Sequence, residues 1–295
     1  MIKDRFDLLK NKIKWICQNI LSGNKKEKIS LLLSVVLVIL AIVSITKIIQ
    51  IHAAEAKQEK EIKALQQKYI SNSSDKNELT DKPAGSSSET DEATEDDPNA
   101  WYHDIDVDFE GLKKLNSDIV GWIYFEGDVG ISYPLLYSGD DYYLNHNYLK
   151  EEESAGSIYI DKNNNPDLTD AHTLIYGHNM RNLSMFGKLR YYKTEEDYLK
   201  THRYFQLITK SSIYRYEIFA YKDVSTLTGG IYTTWKYVDE DFKEFVEDTI
   251  CQGSYVDTDI DVDDETHIVT LSTCSYDSDV RFTVSATRVD VHMWK

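Results

Sequence analysis

Cys274 ends a run, His267-Ile268-Val269-Thr270-Leu271-Ser272-Thr273-Cys274, in which apolar and polar side chains alternate. A period of two puts Val269, Leu271 and Thr273 on one face of a strand and Thr270, Ser272 and Cys274 on the other. The thiol is therefore expected on the polar face, out of the core, at a strand end. Arg281-Phe282-Thr283-Val284-Ser285-Ala286 alternates in the same way, with Phe282, Val284 and Ala286 toward the core and Arg281, Thr283 and Ser285 away from it. A lone cysteine is usually a small buried hydrophobe; here parity and a nearby guanidinium point instead to chemistry. A cysteine nucleophile works as the thiolate, which a neighbouring imidazolium favours. His178 is the imidazole with the right setting, because it follows the apolar run Thr173-Leu174-Ile175-Tyr176 and Gly177, at a strand-to-loop junction where reactive groups are often presented. His52, His103, His146, His172, His202, His267 and His292 lack that punctuation. The donor fork of Arg281 suits a developing oxyanion or a substrate carbonyl.

The elements that must position these groups are mostly strands. Ile119 to Phe125, Ile131 to Leu136, Gly156 to Ile160, Thr173 to Tyr176, Tyr204 to Thr209, Ile213 to Tyr221, His267 to Thr273 and Phe282 to Val291 are rich in Tyr, Ile, Val and Thr. Eight such runs with few helices between them predict a mainly β fold, a closed or nearly closed barrel. Phe109, Leu112 and Leu115 predict a short helix ahead of them. A long insertion before the cysteine strand holds a second helix over Asp239 to Cys251, with apolar positions at Phe242, Phe245, Val246 and Ile250.

Ile29 to Thr46 is uncharged and apolar over about eighteen residues, roughly what a helix needs to cross the hydrocarbon core. No small-residue cleavage site follows it, so it reads as an uncleaved anchor. The excess of Lys and Arg before it puts the N-terminus in the cytoplasm and the rest outside the cell. The chain divides into a basic flank (1–28), a transmembrane helix (29–51), a helical stalk and disordered acidic linker (52–100) and one catalytic-sized domain (101–295). A formal net charge of -17 argues against nucleic acid as a partner. Three cysteines, with Cys17 on the cytoplasmic side, are too few for a disulfide framework; a single Cys251 to Cys274 bridge stays open.

Thr270-Leu271-Ser272-Thr273-Cys274, Tyr176-Gly177-His178-Asn179 and Arg281 to Ala286 together resemble a sortase, most closely class B. The likeness extends to Asn116-Ser117-Asp118-Ile119-Val120-Gly121-Trp122-Ile123, to Tyr142-Tyr143-Leu144-Asn145-His146 and to Ala155-Gly156-Ser157-Ile158-Tyr159-Ile160-Asp161. The resemblance implies an eight-stranded sortase-type β-barrel with short peripheral helices. It also implies that Cys274, His178 and Arg281 serve as nucleophile, acid/base and transition-state stabiliser. It further implies no cofactor or metal, and a groove walled by Asn145, Ser272, Thr273 and the insertion from Val224 to Val238. The implied substrates are exported proteins with a C-terminal sorting motif, often beginning Asn-Pro in this class, and an amine of the peptidoglycan precursor. Some class B members carry an acid two residues after the cysteine; here that position is Tyr276, and Asp277 or Asp279 stays unassigned.

Other readings remain open at this point. A pilin lysine could be the acceptor, although Asp97-Pro98-Asn99-Ala100-Trp101 matches the lid of fibre-building enzymes only faintly. Hydrolysis by a cysteine protease and an inactive surface-binding module are the further alternatives. Asp161-Lys162-Asn163-Asn164-Asn165 resembles the start of a calcium loop, but Pro166 stands where Gly is needed and His172 where the bidentate Glu belongs. The acidic run from Asp257 to Asp264 reads as a solvated loop.

Overall fold

Cross-strand aromatic pairs fix the register of the sheet. Phe125 opposes Phe205 and Phe205 opposes Tyr216, and the three rings stack at centroid distances of 5.0 and 5.3 Å. Such pairs stabilise a sheet by roughly 0.2–1 kcal/mol each relative to a pair of alanines. The computed structural model describes residues 14, 24–72, 101–103, 105–227, 230–256, 260–274 and 279–294. The strands are β1 (Ile70–Asn72), β2 (Ile105–Val107), β3 (Ile119–Phe125), β4 (Ser132–Leu136), β5 (Ile158–Ile160), β6 (His172–Gly177), β7 (Tyr204–Ile208), β8 (Ser212–Ser225), β9 (Tyr255–Val256), β10 (Ile268–Cys274) and β11 (Val280–Met293). The main sheet runs β11-β10-β6-β5-β4-β3-β7-β8-β9, and pairing of β11 with β8 closes eight of these strands into a barrel. Closure needs bent strands, and the register slips where they bend, at Ser285/Ala286 and Arg288/Asp290 in β11 and Ile119/Gly121 in β3.

Ile123, Leu135, Leu207, Ile218, Leu271 and Val284 fill the barrel interior. A second apolar cluster lies outside the barrel, where Ile231, Phe242, Phe245, Val246 and Ile250 of the insertion cover Phe219, Ala220, Val224 and Ile268. The insertion helix is α-helical over Glu240–Glu244 and π-helical over Phe245–Cys251, and Asp239 caps it by accepting from the Phe242 amide at 2.8 Å. This second layer corrects the simple reading of the polar faces. Thr270, Ser272, Thr283 and Ser285 point away from the barrel interior, yet all four are buried.

Thr283 donates to the Lys222 carbonyl at 3.2 Å, Ser272 meets the Tyr232 hydroxyl, and Thr270 and Ser285 join each other and His172. The His172 Nδ1–H donates to the Thr233 carbonyl at 2.8 Å, and its Nε2 lies 2.9 Å from the Thr270 hydroxyl, which in turn meets Ser285 Oγ at 2.9 Å. Burial pushes the His172 imidazole down to about 4, against the opposite pull of the Thr233 carbonyl. The unfolded chain, titrating near 6.5, therefore takes up a proton that the folded one refuses. The stabilisation is complete above pH 6.5, falls as pH drops toward 4, and is on the order of 3 kcal/mol. Burial lowers His267 as well, in the same sense. Denaturant unfolding at pH 7 and pH 5 is expected to show the loss, and a level stability across that window would contradict it.

The N-terminal helix, α1, runs Lys25–Tyr69. Its segment from Ile29 is long and apolar enough to cross a membrane, with the apolar window wholly unburied by protein. Residues 1–60 and 61–295 form two compact units. The stalk expected over residues 52–100 is thus not uniform, because Ile62 and Leu65 are buried in the main core and Gln66 Nε2 donates to the Ser132 carbonyl at 2.7 Å. β1 then pairs antiparallel with β2, and the linker residues 73–100 lie outside the described residues. Short apolar spacing hidden among Lys, Glu and Gln is the reason the composition pointed to a solvated helix. The expected helix near 109 is α2 (Phe109–Leu115), capped by Asp108, which accepts from the Gly111 amide at 2.9 Å.

Candidate active site

Three neighbouring strand ends, β6, β10 and β11, carry the residues singled out for chemistry. β10 runs antiparallel to β11 with Cys274 opposite Arg281. It runs parallel to β6 with Thr273 beside Gly177, so the next step along both chains sets Cys274 beside His178. Adjacent strands lie roughly 4.8 Å apart, and the register therefore brackets Cys274 between His178 and Arg281. The Cys274 side chain and residues 275–278, including Tyr276 and Asp277, lie outside the described residues. Asp279 sits in the turn before β11, where its carbonyl accepts from the Thr226 amide at 2.9 Å.

A cleft opens at these strand ends, lined by Leu144, Ser157, Tyr159, Tyr176, Gly177, His178, Ser272 and Arg281. His178 Nε2 lies 2.8 Å from the Leu144 carbonyl oxygen. The half-buried Arg281 donates from Nη1 to the Val280 carbonyl at 3.1 Å. Gly177 admits no side chain: a Cβ there would stand 2.6 Å from the Phe186 ring, which is itself fully buried. Tyr232 of the insertion reaches Ser272 through hydroxyls 3.1 Å apart. Tyr176 donates to Asp161 Oδ2 at 2.9 Å, and burial together with that carboxylate pushes its phenol well above the ordinary range.

The three expected groove residues part company. Ser272 lines the cleft. Thr273 faces the barrel interior and is buried, with its hydroxyl lacking a hydrogen-bond partner among the described residues. Asn145 is exposed, outside the cleft lining, and its carbonyl accepts from Glu153 at 2.9 Å. Leu144, Ser157, Tyr159 and Tyr176 were not singled out as lining, since they converge only through the fold. Asp161 binds Asn163 and Tyr176, while Asp170 binds Asn164, Asn165 and Lys236, so the loop that resembled a calcium site closes on itself. Trp101 donates to Asp290 at 2.8 Å, roughly 30 Å along β11 from Arg281. It lies far from the cleft a lid would cover, and residues 97–100 lie outside the described residues. Cys251 stands as a thiol at the end of the insertion helix, packed against the outer apolar cluster.

The Sortase domain family model matches residues 128–289, more than half of the chain and all three strand ends. The chain belongs to the sortase family. Sortase B of Listeria monocytogenes is 40% identical over 169 residues, covering 57% of this chain and 67% of the relative. Sortase B of Clostridium perfringens superposes with a TM-score of 0.56 at 30% identity, over 61% of this sortase and 99% of that structure. A Streptococcus pyogenes class B sortase involved in pilus biogenesis gives 0.56 at 26% identity, over 62% and 98%. The relatives place this sortase in class B, whose members are transpeptidases that anchor surface proteins.

Proposed function

We propose that Cys274, His178 and Arg281 carry a transpeptidation through a thioacyl-enzyme. The Cys274 thiolate attacks the carbonyl carbon of a Thr in a sorting motif near the C-terminus of an exported protein. The carbon–sulfur bond forms, Arg281 steadies the oxyanion, and the peptide C–N bond breaks as the His178 imidazolium gives its proton to the leaving amine. An amine of the peptidoglycan precursor then attacks the thioester, gives its proton to His178 and expels the thiolate, so no water is consumed. The observation that carries this reading is the register, with Cys274 flanked by Arg281 on one strand and His178 on the other.

The basic residues ahead of the apolar helix favour an N-terminus in the cytoplasm and a catalytic domain outside, next to the membrane where both substrates are delivered. Mass spectrometry of the protein with Pro-containing sorting peptides, with and without amines, tests the reaction. A thioester on Cys274 that amine resolves is the expected result, and peptide hydrolysis unaffected by amine would replace transfer with proteolysis. A lysine of a pilin subunit is the second acceptor to try, favoured by the relative involved in pilus biogenesis. Arg281→Lys keeps the charge and loses the planar fork, so kcat/KM is expected to fall about 100-fold. Activity within about threefold of the unmodified enzyme would remove Arg281 from the transition state.

A further inference from the structure

The sequence runs at 116–118, 142–146 and 155–157 converge on one turn, Tyr142–Leu144, through Tyr143 and Gly156. His178 Nε2 lies 2.8 Å from the carbonyl oxygen of Leu144. A carbonyl can only accept, so Nε2 bears the hydrogen, and in the neutral ring Nδ1 is left as the basic nitrogen.

The carbonyl is held from two sides. Leu144 ends a single 3-10 turn, Tyr142–Leu144, in which its amide donates to the Asp141 carbonyl at 3.1 Å. Tyr143 in that turn is fully buried, and its hydroxyl accepts from Asn116 Nδ2 at 2.9 Å and donates to Asp118 Oδ2 at 2.8 Å. Burial pushes the Tyr143 phenol far above its ordinary value, which keeps it a donor. Asn116 Nδ2 also donates to the Tyr148 carbonyl at 2.9 Å, tying both ends of the loop to one amide. On the other side stands Gly156, at φ +53, where a Cβ would lie 2.5 Å from the Leu144 oxygen and 2.6 Å from the Tyr143 oxygen. Both are backbone atoms, which cannot swing aside as a flexible side chain can, and the left-handed φ disfavours a side chain on its own account. The next amide, Ser157, donates to that Tyr143 carbonyl at 2.9 Å.

We propose that Asn116, Tyr143 and Gly156 are positioning residues that hold the Leu144 carbonyl against His178, fixing the Nε2–H tautomer so that Nδ1 exchanges the proton during transfer. The inference rests on His178 being the acid/base of the reaction proposed above. A neutral carbonyl suits the task, because it orients the ring without itself titrating over the working pH range.

Nitrogen-15 NMR of the full chain in detergent micelles, labelled at histidine, tests it, with His178→Gln identifying the resonances. At a pH where the ring is neutral, His178 is expected to show a protonated Nε2 and an unprotonated Nδ1. Gly156→Ala and Tyr143→Phe are each expected to mix in the other tautomer and to lower kcat by about 10–100-fold with KM within about twofold, the signature of a misplaced group. Tyr143→Phe keeps the buried ring and decides the matter if Gly156→Ala does not fold. An Nδ1–H tautomer in the unmodified chain, or a folded Tyr143→Phe with unchanged tautomer and kcat, would overturn the positioning role. Failure of the unmodified chain to form any thioester would overturn the reaction itself, while the tautomer would still report on the geometry.

Discussion

A Cys274→Ala variant is expected to form no thioester and to lose at least about 10⁴-fold in transpeptidation, the scale seen when the nucleophile of a concerted set is removed. The expectation follows from register, since no other thiol of the described residues stands at these strand ends. Cys251 lies in the insertion, against the outer apolar cluster. Cys251→Ala is accordingly expected to keep activity within about threefold, because a small half-buried side chain is exchanged for a smaller one away from the cleft. The pair of variants separates a specific nucleophile from general thiol chemistry. Turnover surviving in Cys274→Ala, or lost in a folded Cys251→Ala, would move the nucleophile elsewhere.

The strands were legible because their segments are rich in Ile, Val, Tyr and Thr; Ile119–Phe125 matches its expected bounds, β10 begins and ends one residue later than expected, and β11 extends its bounds by two residues at each end. The closeness of Cys274, His178 and Arg281 was legible only through resemblance, since parallel pairing of β6 with β10 joins segments about a hundred residues apart. Two features escaped a reading by pattern. Thr270 and Ser285 look like solvent-facing residues, but the insertion buries them, and the hydrogen bonds that link Ser285 to Thr270 and Thr270 to His172 make that tolerable. Leu144 carries no side-chain signal at all, because its contribution is a main-chain oxygen, positioned by the absence of a Cβ at Gly156. Periodicity reports faces of elements, and it is silent on backbone atoms at turns.

That main-chain contact makes the second large effect separable into orientation and proton transfer. In His178→Gln the terminal amide can occupy the place of Nε2 and still donate to the Leu144 carbonyl, but it has no group that titrates near neutral pH. The loop geometry is therefore expected to persist while kcat falls about 10³-fold, within the range that a general acid–base contributes. His178→Ala removes the ring and the hydrogen bond together, and leaves a space beside the cleft. Added imidazole is expected to restore part of its activity, with a dependence on pH that follows imidazole and not the protein. Rescue by a free base distinguishes lost proton transfer from a collapsed site, since a disordered cleft would respond to no small molecule. Were His178→Gln to keep most of its activity, the leaving amine would have to take its proton from another group, and the bond to Leu144 would be an architectural contact only.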